Sequence, residues 1–80
     1  MHYKPKGVCS TDIEIETEGN VVKFVKFTNG CSGNTQGVAR LVEGMDIDEA
    51  ISRLDGIKCG SRPTSCPDQL AQALKQIKNA

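Results

Sequence analysis

Between residues 9 and 17 the chain reads CSTDIEIET, which places Cys9, Thr11, Ile13, Ile15 and Thr17 on one parity and Ser10, Asp12, Glu14 and Glu16 on the other. A period of two with acids at alternate positions predicts a half-buried strand. The segment VVKFVKFT that follows is rich in β-branched and aromatic residues, and Gly19-Asn20 between the two forms a plausible two-residue hairpin turn. With Glu18 opposite Val21, Glu16 meets Lys23 and Ile15 meets Phe24, so charges pair outside and apolar groups inside. Continued unbroken, that register buries Lys26 and exposes Phe27. One extra residue, a β-bulge near Val25-Lys26, sets Glu14 against Lys26 and Ile13 against Phe27 instead. Extended to the strand ends, this register brings Cys31 opposite Cys9.

After the glycine-rich NGCSGNTQG the period changes to that of a helix, in Val38, Leu41, Val42 and Met45, with Asn34 or Thr35 as N-cap and Gly44 as stop. A second helix is predicted from Ile47, Ala50, Ile51 and Leu54, opened by Asp46 and Glu49 in a capping-box pattern and closed by Gly56. A third begins near Ser65 with the stripe Leu70, Ala73, Leu74 and Ile77, and Lys75 and Lys78 suit the negative end of its dipole. Ile57-Lys58-Cys59 leaves room for a short third strand, and residues 1–6 and 79–80 are expected to fray. These elements predict one α+β domain over residues 1–80, a β-hairpin with three helices packed on one face.

A chain of 80 residues is small enough that only about 60–65% of its unfolded surface is buried on folding. Its large core-filling side chains are scarce, with Tyr3, Phe24 and Phe27 as the aromatics and no Trp. A metal or a partner subunit would therefore add needed stability. Ten basic and ten acidic residues cancel, within each part of the chain as well as overall. No basic face emerges, which argues against nucleic acid as a partner. No apolar run exceeds two residues and the opening MHYKPKG has no apolar stretch, so neither a membrane span nor a signal peptide is expected. The expected compartment is the cytoplasm, where four cysteines are thiols or metal ligands rather than a disulfide framework. The uncovered hairpin edge allows pairing across a homodimer.

The cysteines are spaced 22, 28 and 7 residues apart, without the two-residue gap that makes a zinc knuckle readable. Their positions carry more information. Cys31 lies in a glycine-rich loop ahead of a helix, Cys59 precedes Gly60, and Cys66 stands at the start of the last helix, where unpaired N–H groups favour an anionic sulfur. Cys9 with Cys31, and Cys59 with Cys66, can together form a closed four-thiolate zinc site. Three alternatives stay open: cysteines as small buried hydrophobes, thiol exchange between Cys59 and Cys66, and an anion or nucleotide site using Asn34 and Arg62. The last has neither a P-loop nor a dinucleotide fingerprint behind it. His2 is the only histidine and lies beside the terminus, so no Ser-His-Asp constellation can form and no catalytic residue is assigned. Glu14 and Glu16 are accounted for by pairing with Lys23 and Lys26.

RPTSCPDQLAQAL, residues 62–74, resembles the signature of the TSCPD domain, here Thr64-Ser65-Cys66-Pro67-Asp68. Together with GVCS, NGCSGNTQG and IKCGSRPTSCPDQLA, it makes most of the chain similar to the small stand-alone members with four cysteines. The resemblance implies metal binding through Cys9, Cys31, Cys59 and Cys66. It also implies a link to ribonucleotide reductases, some of which, including cobalamin-dependent ones, carry related domains at their C-terminal end. A radical-generating barrel does not fit into eighty residues. The expected role is an accessory module acting with such a reductase in deoxyribonucleotide synthesis. Within the signature Ser65 caps the helix, Pro67 fits its first turn and Asp68 complements its positive end.

Overall fold

The period-two and helical segments fold as β1 (His2–Tyr3), β2 (Ser10–Glu18), β3 (Val21–Asn29), α1 (Ser32–Val42), α2 (Ile47–Leu54) and α3 (Cys66–Lys78). The structure is a computed structural model that describes residues 1–30 and 32–79. The strands form one antiparallel sheet in the order β1-β2-β3, so the α+β class stands.

The third strand is not where the sequence suggested. Residues 57–59 form no strand, because their backbone groups are satisfied locally: Ser65 Oγ donates to the Ile57 carbonyl (2.7 Å) and the Cys59 N–H bonds the Thr64 carbonyl (3.2 Å). The N-terminus, expected to fray, supplies β1 instead. His2 pairs with Glu14 and Tyr3 with Ile13, while the Met1 ammonium donates to the Ile15 carbonyl at 3.0 Å. Lys6 is held further along by its N–H to Gln69 Oε1 (3.1 Å).

Two register shifts set the phase of the hairpin. Glu14 faces Lys26 and Ile13 faces Phe27 as expected, but the bulge lies at Lys23 and not at Val25-Lys26. Val25 therefore stands opposite Ile15 in the core, and Phe24 stands opposite Glu16 on the outer face, 40% exposed. Either bulge keeps both lysines in water. The observed one puts two β-branched valines, Val22 and Val25, against Ala39 and Val42 of α1. The second shift, at Thr11 between the pairs Asp12–Thr28 and Ser10–Asn29, turns Ser10 inward (2% exposed) and Thr11 outward.

α1 also departs from expectation. It starts at Ser32, so Asn34 and Thr35 lie within its first turn rather than at its cap. Its buried stripe runs through Thr35, Ala39 and Val42, leaving Leu41 75% exposed. Past its end the chain runs along the edge of β3, where the Gly44 N–H donates to the Val22 carbonyl (2.7 Å) and the Val22 N–H to the Met45 carbonyl (2.9 Å). Further along that edge the Val25 N–H donates to the Glu43 carboxylate at 3.2 Å.

In α2 the Asp46 side chain accepts from the Glu49 N–H at 3.2 Å, and Ile47, Ala50 and Leu54 are buried. Asp46→Ala should cost about 1 kcal/mol, the usual value of such a cap, read as a shift in the urea midpoint. No change would mean that the helix start is held by its other contacts. α3 contributes Leu70, Ala71, Ala73 and Leu74, all at 0% exposure, and the helices cover the sheet face formed by Ile13, Ile15, Val22 and Val25. Glu16, Phe24 and Lys26 on the other face are exposed.

Candidate functional site

The start of α3 is fixed by its own sequence. Ser65, in an extended conformation, accepts the Asp68 N–H at 3.1 Å while its hydroxyl donates to Ile57, so one side chain joins the helix to the preceding loop. Pro67 occupies the first turn, where no helical N–H is needed. The buried Asp68 carboxylate accepts from the Gly56 N–H (2.7 Å), from the Thr64 hydroxyl and from Gln72 Nε2 (3.3 Å). Burial pulls its ionisation upward, but hydrogen bonds from Thr64, Gly56 and Gln72, with the Lys75 charge, outweigh it and hold the carboxyl below its ordinary value. Gln69 then ties Thr64 (2.9 Å) to the N-terminal segment. Thr64, Ser65 and Asp68 thus fasten the loop 56–65 onto α3, with Cys66 in their midst.

Inside that loop the Arg62 N–H bonds the Cys59 carbonyl at 2.9 Å. This closes a tight turn that carries Cys59 on the surface. The Arg62 guanidinium reaches across to Cys9 and donates to its sulfur at 3.6 Å. Cys66 is half-buried, its sulfur 3.1 Å from the hydroxyl of Ser10. Cys9, Cys59 and Cys66 are free thiols.

All three line one cavity of about 290 Å³, whose apolar lining comes from Val8, Phe27, Val38, Ile57 and Pro67. Asn34, Lys58 and Arg62 line it too, and among the described residues no aspartate or glutamate does. Of the residues singled out from the sequence, Cys9, Cys59, Cys66, Asn34 and Arg62 are therefore brought together. Cys31 lies outside the described residues, and with it the expected meeting of Cys9 and Cys31. Among the described residues, no three His, Cys, Asp or Glu side chains stand close enough together to hold an ion. The donor chemistry nevertheless suits a thiophilic metal: the candidate ligands in the cavity lining are sulfur, and the charges beside them are positive.

Two contributors escaped the sequence reading. Ser10 was assigned to the solvent face by simple alternation, and only the irregularity at Thr11 brings it to Cys66. Lys58 carried no signal beyond its neighbour Cys59. A larger cavity of about 480 Å³ between β3 and α1 is lined by Lys26, Arg40 and Glu43 among others, with no cysteine among its described lining residues.

The family model of the TSCPD domain matches residues 1–78. Comparison with curated proteins and with solved structures gives no significant match. Among the described residues no helix is long and apolar enough to cross a membrane.

Proposed function

We propose that this chain, which belongs to the TSCPD domain family, is a cytoplasmic accessory module in which Cys9, Cys31, Cys59 and Cys66 hold one structural zinc ion. The observation that carries this reading is the single cavity shared by Cys9, Cys59 and Cys66, which come from the position just before β2, the loop before α3 and the first turn of α3. These three sulfurs are not needed for packing, since two of the three are exposed.

Support for including Cys31 comes from its neighbours in the chain. Gly30 lies against Ser10, the residue after Cys9, so closely that a Cβ built on it would stand 3.3 Å from the Ser10 Cβ, and its φ of 90° disfavours any other residue. Asn34, three residues after Cys31, lines the cavity. Sulfur donors without a carboxylate favour zinc over magnesium or calcium. A four-thiolate centre leaves no position for a substrate, so its role is to fix the loop 56–65 as a surface for a partner. The similarity of residues 62–74 to domains at the C-terminal end of some ribonucleotide reductases supports such a reductase as that partner, within deoxyribonucleotide synthesis.

The test is elemental analysis with thiol counting on protein purified under reducing conditions with zinc supplied. About one zinc per chain is expected, bound through thiols that resist modification until a chelator is added. Cys66→Ser and Cys59→Ser should each release most of the metal. A metal-free chain with freely titrating thiols, or one with a reversible Cys59–Cys66 disulfide, would refute the reading.

A further inference from the structure

We infer that Ser10 and Arg62 donate hydrogen bonds to the sulfurs of the centre, Ser10 to Cys66 and Arg62 to Cys9, and that Arg62 with Lys58 offsets its negative charge. The inference rests on the metal reading above but makes a claim of its own, about side chains that are not ligands.

Ser10 is 2% exposed, and the partner of its hydroxyl is the Cys66 sulfur at 3.1 Å. A buried hydroxyl needs a partner. Between a thiol and a hydroxyl either group can donate. Once the sulfur has given up its proton to bind a metal it can only accept, so Ser10 becomes the donor without moving. Its placement is specified from both sides: the bulge at Thr11 turns it inward and the close approach of Gly30 packs its backbone.

Arg62 is likewise placed twice. Its backbone N–H holds the Cys59 carbonyl, and its guanidinium holds the Cys9 sulfur at 3.6 Å, so one residue spans two cysteines. Four thiolates around a divalent ion are doubly negative, and such a centre in an apolar cavity needs compensating charge. Lys58 and Arg62 line the cavity and, among the described residues, neither is engaged in an ion pair with a carboxylate. Their two positive charges match the excess. A hydrogen bond or cation at a bound sulfur lowers the energy of its lone pairs, which raises the energy needed to move an electron from sulfur to the metal.

Cobalt(II) in place of zinc makes this visible. The unsubstituted protein should show the visible d–d bands of a tetrahedral ion and a near-ultraviolet sulfur-to-cobalt charge-transfer band. In Ser10→Ala and Arg62→Gln the charge-transfer band should move to lower energy while the d–d bands stay in place. Zinc affinity, measured by competition with a chromophoric chelator, should fall about 10-fold in each. Arg62→Lys should recover most of the affinity. Arg62 is exposed, so its variants fold even if Ser10→Ala does not. Bands and affinities unchanged in the variants would overturn the inference and leave the zinc site standing. No thiolate band in the unsubstituted protein would overturn both.

Discussion

Replacing Leu70 with alanine should lower the unfolding free energy by about 2–5 kcal/mol, the range for a leucine removed from a well-packed core. Leu70 is fully buried, and its neighbours on α3, Ala71 and Ala73, are too small to move into the space it would leave. The fully buried side chains of greatest volume are Ile13, Ile15, Leu70, Leu74 and Val22, so few others can compensate. At roughly 0.05–0.15 kcal/mol per residue the whole domain is stable by only about 4–12 kcal/mol. The substitution therefore removes a large share of the total and can leave the chain mostly unfolded near body temperature. Equilibrium urea denaturation at a fixed zinc concentration measures it. Leu41→Ala is the control: at 75% exposure it should change stability by less than about 0.5 kcal/mol. Equal losses at the two positions would refute the assignment of α1's buried face.

Asp68→Ala should cost about 3 kcal/mol and act on a different part of the molecule. The carboxylate accepts from Gly56, Thr64 and Gln72, and its removal leaves the Gly56 amide and the Thr64 hydroxyl without that partner; hydrogen bonds to an ionised group contribute about 1.5–3 kcal/mol each, less whatever water restores. The same carboxylate makes stability depend on pH. Its folded value is depressed below the ordinary one, so folding is favoured by ionised Asp68 at pH values above the unfolded carboxyl's, about 3.9. That contribution fades as the pH falls through the lower folded value. The gap in stability between the natural chain and Asp68→Asn should therefore be widest at neutral pH and narrow below about pH 4. A constant gap across that range would show that Asp68 acts through shape and not charge. Amide exchange in the loop 56–65 should quicken in Asp68→Ala even where the core stays protected.

Much of this architecture is legible in the amino-acid order because local signals and burial agree. β2 shows its parity in Ile13, Glu14, Ile15 and Glu16, and the pairs Glu14–Lys26 and Ile13–Phe27 follow from charge and apolar matching alone. α2 and α3 announce their starts by side chains that serve as caps, Asp46 and Ser65. β1 gives no such sign. Two residues have no period, and what holds them is backbone pairing with β2. At residues 57–59 strand propensity is outweighed by hydrogen bonds to Ser65 and Thr64 that no pattern reveals. In α1 the stripe was misplaced because alanine marks a face weakly: Ala39 packs inside while Leu41, the stronger hydrophobe, faces solvent.

The candidate site divides in the same way. Cys59 and Cys66 flank a short loop ahead of a capped helix, and the glycines and the cap mark their setting. That Cys9 shares their cavity is a tertiary fact, fixed by packing between the strand ends and the loop. Ser10 was the hardest to foresee, since a serine between a cysteine and a threonine looks the same whether it faces water or a sulfur atom.

The supernumerary residue at Thr11 works as a phase inverter. Everything on its C-terminal side keeps step with the hydrophobic interior, and everything on its N-terminal side is turned over. The β2 strand can thus serve two masters, its body obeying the demands of packing and Ser10 those of its contact with the Cys66 sulfur, with a single peptide unit keeping the two sets of constraints from colliding.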